Sequence, residues 1–173
     1  MAPTIKFKPK QTTKKLISVL PARARDVLIN RFGLGTKPER MTLEAIGQTY
    51  NITRERVRQI ENYALHNVKK SEAYKKEKAI FDELDAILHE MGGVVSEEDF
   101  LNSMTKDEST QNHINFLMTI SHSLKRQKED EEFKHRWYID EGLSKKVHES
   151  LQKLYNGLSD EDIIPESEII NTF

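Results

Sequence analysis

Within seven residues the chain places Thr53, Arg54, Glu55, Arg56, Arg58 and Gln59, side chains whose hydrogen-bonding groups suit base-pair edges and phosphate oxygens. An arginine can fork onto guanine, a glutamate accepts from the cytosine amino group and a glutamine pairs with adenine, while flanking arginines reach the backbone. To enter one groove together these groups must share one face of a helix. At about 100° per residue, Val57, Ile60, Ala64 and Val68 gather on one side. That sets Glu55, Gln59, Asn62 and His66 opposite, with Arg56 and Arg58 flanking them. The same charges also suit an ordinary solvated, salt-bridged helix, and periodicity alone does not separate the two readings.

Two start signals and a turn position this helix. Thr42 and Thr53 each precede apolar residues at helical spacing, and a threonine there accepts a hydrogen bond from an unpaired N–H of the first turn. Leu43, Ile46 and Tyr50 form the stripe of the first helix. Between the two, Asn51 stands where the chain must reverse, and asparagine adopts the left-handed backbone at little cost. Met41 to Lys70 therefore reads as a helix-turn-helix.

The residues go further than the pattern. Leu20–Leu34 (LPARARDVLINRFGL), Met41–Gly47 (MTLEAIG) and Ile52–Leu65 (ITRERVRQIENYAL) closely resemble region 4, the −35-binding domain, of sigma-70 family RNA polymerase sigma factors, over about residues 17–70. The resemblance implies promoter contacts at Thr53, Arg54, Glu55, Arg56, Arg58 and Gln59, with Arg54, Glu55 and Gln59 as base readers. It also implies that Leu20–Leu34 docks on the flap of the polymerase β subunit. The chain departs from the family after Glu61, where Asn62, Tyr63, His66 and Asn67 replace the usual basic run.

Charge divides the chain. Residues 1–70 carry 15 Lys and Arg against 5 Asp and Glu, and residues 71–173 carry 12 against 23, so a total of −1 hides a basic and an acidic half. The basic half suits a nucleic-acid partner, because neutralising phosphates supplies most sequence-independent affinity. With no cysteine there is neither a disulfide framework nor a thiolate metal site. No apolar run is long enough to span a membrane and no signal peptide is evident, so a cytoplasmic protein is expected.

Along the chain, residues 1–13 read as a flexible basic arm, 14–72 as the helix-turn-helix domain, 73–158 as a second domain and 159–173 as an acidic tail. Gly33 and Gly35 end a helix that carries Ala24, Val27, Leu28 and Phe32. Ser71–Met91 is a patterned helix closed by Gly92-Gly93. Ser96, and then Ser109 or Thr110, cap two further helices. Lys125–Glu132 reads as a charged turn and Phe133–Ile139 as a strand. Three helices and a hairpin make a winged helix. The order over about residues 78–140 resembles the HARE-HTH family, which includes the N-terminal domain of the RNA polymerase delta subunit. The expected fold is mainly α: a sigma region 4-like helix-turn-helix joined by a helical connector to a winged-helix-like domain with a small β hairpin and a C-terminal helix.

Six histidines are scattered over different expected elements without a metal-ligand spacing, and no nucleophile motif, phosphate loop or nucleotide fingerprint is present. No enzyme, no metal and no cofactor are expected. The resemblance implies a DNA-binding transcription factor working with bacterial-type RNA polymerase, without room for the −10-melting domain of a full sigma factor. Its partners would be promoter-like double-stranded DNA and RNA polymerase, with no membrane, and the sequence does not fix its oligomeric state. Two alternatives stay open: a protein-interaction adaptor on the polymerase, and a DNA-binding accessory of a DNA modification or restriction system.

Overall fold

A computed structural model describes residues 5–159, Pro165 and residues 167–169. Packing divides the chain into two units, Met1–Ile139 and Asp140–Phe173. In the first unit, helix α1 (Pro9–Ile17) opens on a proline, whose missing N–H would be unpaired there anyway. Sequence suggests a flexible arm across residues 1–13. Residues 9–13 are helical instead, with Thr12 and Thr13 buried on the side that carries Leu16 and Ile17, so the arm is drawn into the core by the turn that follows it. Helix α2 (Ala22–Phe32) stops at Gly33, which takes a left-handed φ of 65°. A Cβ at Gly33 would come within 2.3 Å of the Pro38 carbonyl oxygen, so the chain closes tightly there.

Helices α3 (Leu43–Tyr50) and α4 (Arg54–Lys70) form the helix-turn-helix. Thr42 Oγ1 accepts from the Ala45 N–H and Thr53 Oγ1 from the Arg56 N–H, both at 3.1 Å. Asn51 makes the reversal at φ 52°. Val27, Ile46 and Val57, all with no exposed surface, pin α2, α3 and α4 together. Ser71 then breaks the chain direction: its Oγ accepts from the Tyr74 N–H at 3.1 Å and opens α5 (Glu72–Lys76). After Glu77 comes α6 (Lys78–Glu90), so the patterned stretch from Ser71 to Met91 is two helices and not one.

Strand β1 (Val94–Ser96), α7 (Glu97–Met104), α8 (Glu108–Ile120), β2 (Lys125–Gln127) and β3 (Arg136–Tyr138) complete the unit. The sheet is antiparallel in the order β1-β3-β2, with Trp137 opposite both Val95 and Arg126. This is the helix and strand order of a winged helix. Sequence leaves β1 unmarked and reads β2 as a turn, because three residues are too few to establish an alternation. The expected strand over Phe133–Ile139 shrinks to Arg136–Tyr138. Its Arg136 is buried, with its guanidinium on Asp130 Oδ2 at 2.8 Å. Asp107, not Ser109 or Thr110, caps α8: its carboxylate accepts from the Thr110 N–H at 3.0 Å and meets the positive end of the helix dipole.

The change of composition after residue 72 does not coincide with a gap in packing. One apolar cluster runs from Leu16, Leu20 and Leu28 through Val68 and Leu88 to Phe116 and Trp137. Helix α8 lies inside it, buried at every position from Asn112 to Met118. The second unit holds α9 (Glu141–Asn156), capped by Asp140, which exposes Leu143, Leu151 and Tyr155. The expected acidic tail falls largely outside the described residues.

Candidate nucleic-acid interface

The outer face of α4 follows from how its inner face is used. Val57, Ala64 and Val68 have no exposed surface and Ile60 is half-buried, so the stripe at three- and four-residue steps faces α2, α3 and the core. Thr53, Arg54, Glu55, Arg56, Arg58, Gln59, Asn62 and His66 are all exposed on the remaining surface. The Thr53 cap satisfies a first-turn N–H of the helix that carries them.

Two pairs organise this face. Arg58 forks onto Glu55, with Nε on Oε2 at 2.9 Å and Nη2 on Oε1 at 2.7 Å. The hydrogen bonds from Arg58 hold the Glu55 carboxyl below its ordinary range, and the same bonds raise the Arg58 guanidinium. Arg56 Nη1 donates to Gln59 Oε1 at 2.9 Å. That contact occupies the amide oxygen of Gln59, while its NH₂ hydrogen-bonds the Glu55 carboxylate. The side chain of Arg54 makes no hydrogen bond among the described residues, and its guanidinium is open to solvent.

Two residues next to this face escaped sequence reasoning. A groove of about 340 Å³ runs between the start of α2 and α4, lined by Pro21, Arg23, Ala24, Arg56, Gln59, Ile60 and Tyr63. Arg23, 5.6 Å above the Tyr50 ring, brings a cation from another helix beside Arg56. Tyr63 extends the face one turn beyond Gln59 and is 56% exposed. Its spacing from Gln59 is readable, but an aromatic residue at that step reads first as core. Nothing in the α4 pattern announces Arg23, which α2 delivers.

Other chemistry has no comparable arrangement. Among the described residues no group of three or more His, Asp or Glu is placed to hold a metal ion. No helix among them is long and apolar enough to cross a membrane.

Comparison with known proteins agrees with this geometry. Residues 16–70 match the family described as sigma-70, region 4. The chain is 45% identical over 60 residues to the RNA polymerase sigma factor SigA of a Nostoc species, an alignment covering 35% of this chain and 15% of that protein. It is 41% identical over 73 residues to SigA of Clostridium acetobutylicum, covering 42% and 19%. With SigA1 of Synechococcus elongatus the identity is 50% over 54 residues, covering 31% and 13%. The chain thus spans less than a fifth of the length of each of these relatives. Residues 16–70 form a helix-turn-helix of the sigma-70 region 4 type.

Proposed function

We propose that the protein is a DNA-binding transcription factor that reads a −35-like promoter element with the outer face of α4. Arg54, Glu55 and Gln59 contact bases, and Thr53, Arg56 and Arg58 hold the backbone. The observation that carries this reading is the exposure of all six side chains at the N-terminal end of the second helix of a region 4-type helix-turn-helix. The relatives are RNA polymerase sigma factors by name, which supports polymerase as the protein partner. Docking through Leu20–Leu34 onto the β flap is the mode that the resemblance implies. The non-enzymatic reading rests on the match of residues 16–70 to sigma-70, region 4, a DNA-binding domain family.

The test is selection of bound sequences by the full chain from random duplexes. A single enriched motif, bound with an affinity that falls steeply as salt rises, is the expected outcome. Recovery of unselected sequence would leave the adaptor reading, in which the protein touches only other proteins. One feature favours that reading for the second half of the chain: Glu129, Asp130, Glu131 and Glu132 stand exposed between β2 and β3, where a wing would otherwise meet phosphates.

A further inference from the structure

In a helix-turn-helix the second helix of the pair is the one that enters the groove. In the α7–α8 pair that helix is α8, and beyond its first turn it has no free face. Asn112, His113, Ile114, Asn115, Phe116, Leu117 and Met118 are all buried in succession, and a helix buried all round is a core element. It packs against α1, α2, α4, α6 and α7.

The contact with the first helix-turn-helix is specific as well as apolar. Asn112 Nδ2 donates to the Pro38 carbonyl at 2.7 Å and to the Gly33 carbonyl at 3.2 Å, while its Oδ1 accepts from Arg40 Nε at 2.7 Å. Phe116 meets the Phe32 ring edge-on at 5.3 Å. Lys10 of α1 pairs with the capping Asp107 at 3.1 Å. Leu20, Ala24, Leu28 and Leu34 of the Leu20–Leu34 segment are buried in the same cluster, with Ile29 and Phe32 partly buried against it.

We infer that α8 is withdrawn from DNA and acts in cis as the protein partner of α1 and α2, closing their apolar face against any second protein. A partner that needs this face binds only the fraction of molecules in which α8 has moved away, so its apparent affinity falls in proportion to that fraction. The DNA-reading face of α4 points elsewhere and stays open in either state. The inference rests on the proposed function only for the identity of the partner, RNA polymerase.

The absence of cysteine makes a single introduced thiol a unique reporter. Thr13, with no exposed surface, lies on the buried side of α1, the helix that packs most broadly on α8. In the full chain, Thr13→Cys is expected to react with a thiol reagent at least about a hundredfold more slowly than the same thiol in the urea-unfolded chain, the protection of a state open in no more than about 1% of molecules. Adding Asn112→Asp replaces two donors with acceptors facing two carbonyls. It is expected to accelerate labelling about tenfold, with helix content and affinity for the selected duplex unchanged. Core RNA polymerase is expected to bind the Asn112→Asp chain about tenfold more tightly than the unmodified chain, since the open fraction multiplies affinity directly. Labelling at the unfolded rate without Asn112→Asp, or no acceleration with it, overturns the closure. So does equally tight polymerase binding by both chains. Should neither chain bind polymerase, the proposed partner fails, while the labelling rates still decide whether the face is closed. If Asn112→Asp lowers helix content, Phe116→Leu, which keeps an apolar side chain but removes the ring contact with Phe32, takes its place with the same expectations.

Discussion

Arg58 grips both carboxylate oxygens of Glu55 with its own fork, at 2.7 and 2.9 Å, on the face of α4 assigned to DNA. The pair, joined by a hydrogen bond from Gln59, favours the ionised Glu55 and holds its carboxylate in place before any ligand arrives. Exposed pairs of this kind contribute little to stability, about 0 to 1 kcal/mol. The consequence of losing one therefore falls on recognition more than on folding.

The proposed reading divides phosphate holding from base reading on this helix. Arg56→Ala should weaken binding to all duplexes similarly and make the salt dependence shallower by about one unit, the signature of one lost phosphate contact. Titrations of the selected duplex and of unrelated duplexes at several salt concentrations measure both. A loss confined to the selected duplex would make Arg56 a base reader.

Core stability should follow burial more closely than hydrophobic periodicity does. Leu28 has no exposed surface, whereas Ile60 and Phe32 lie only partly buried at the edge of the cluster. Leu28→Ala should cost about 2 to 5 kcal/mol in urea unfolding, the usual range for truncating a fully buried leucine. Ile60→Ala should cost less, because part of its surface is already in water. A larger loss for Ile60 would mean that the packing around α2 is looser than described.

The closure at Gly33 makes a backbone prediction. At φ 65°, with the Pro38 oxygen 2.3 Å and Asn112 Nδ2 2.6 Å from a built Cβ, alanine has neither the conformation nor the space. Gly33→Ala should lower stability by more than about 1 kcal/mol, beyond the strain of a left-handed alanine alone. Gly92→Ala is its control: φ is also positive, at 104°, but nothing lies within 4 Å of its Cβ. It should be the milder substitution. Thermal unfolding of the two variants compares them directly.

His113 supplies the pH dependence. Burial, assisted by Lys10, depresses its imidazole from 6.5 to about 4. The unfolded chain therefore binds a proton that the folded chain refuses between those values. Stability from this group is fully present above about pH 6.5, declines as pH falls, and is lost by about pH 4. His113→Gln should flatten the stability profile across that window. A profile identical to that of the unsubstituted chain would mean that His113 is not neutral in the fold.

The helix-turn-helix was legible in the sequence because its determinants are local: two threonine caps, an asparagine at the reversal and stripes read within one helix. The winged-helix order was legible for the same reason, through Ser96 and Gly92-Gly93. What the sequence did not reveal depends on distant partners. Helix α1 looks like a basic arm until it packs on α8 and Thr12 and Thr13 are buried. Val94–Ser96 becomes a strand only when Trp137 pairs with it. Arg23 joins the α4 face through α2 packing, and no local signal marks Asn112 as the side chain that ties α8 to the loop at Gly33 and Pro38. Composition divides the chain by charge, but charge lies on surfaces, and one core runs beneath the change of sign.

The measurement that bears most directly on the account is base preference in the full chain and in its Glu55→Ala and Gln59→Ala variants, on the selected duplex and its single-base variants. The account predicts that each substitution erases discrimination at one or two positions, worth about 1 to 3 kcal/mol per good contact, and leaves the preference elsewhere intact. Specific binding that persists with base preference unchanged in both variants would contradict it, because α4 would then not be the reading helix.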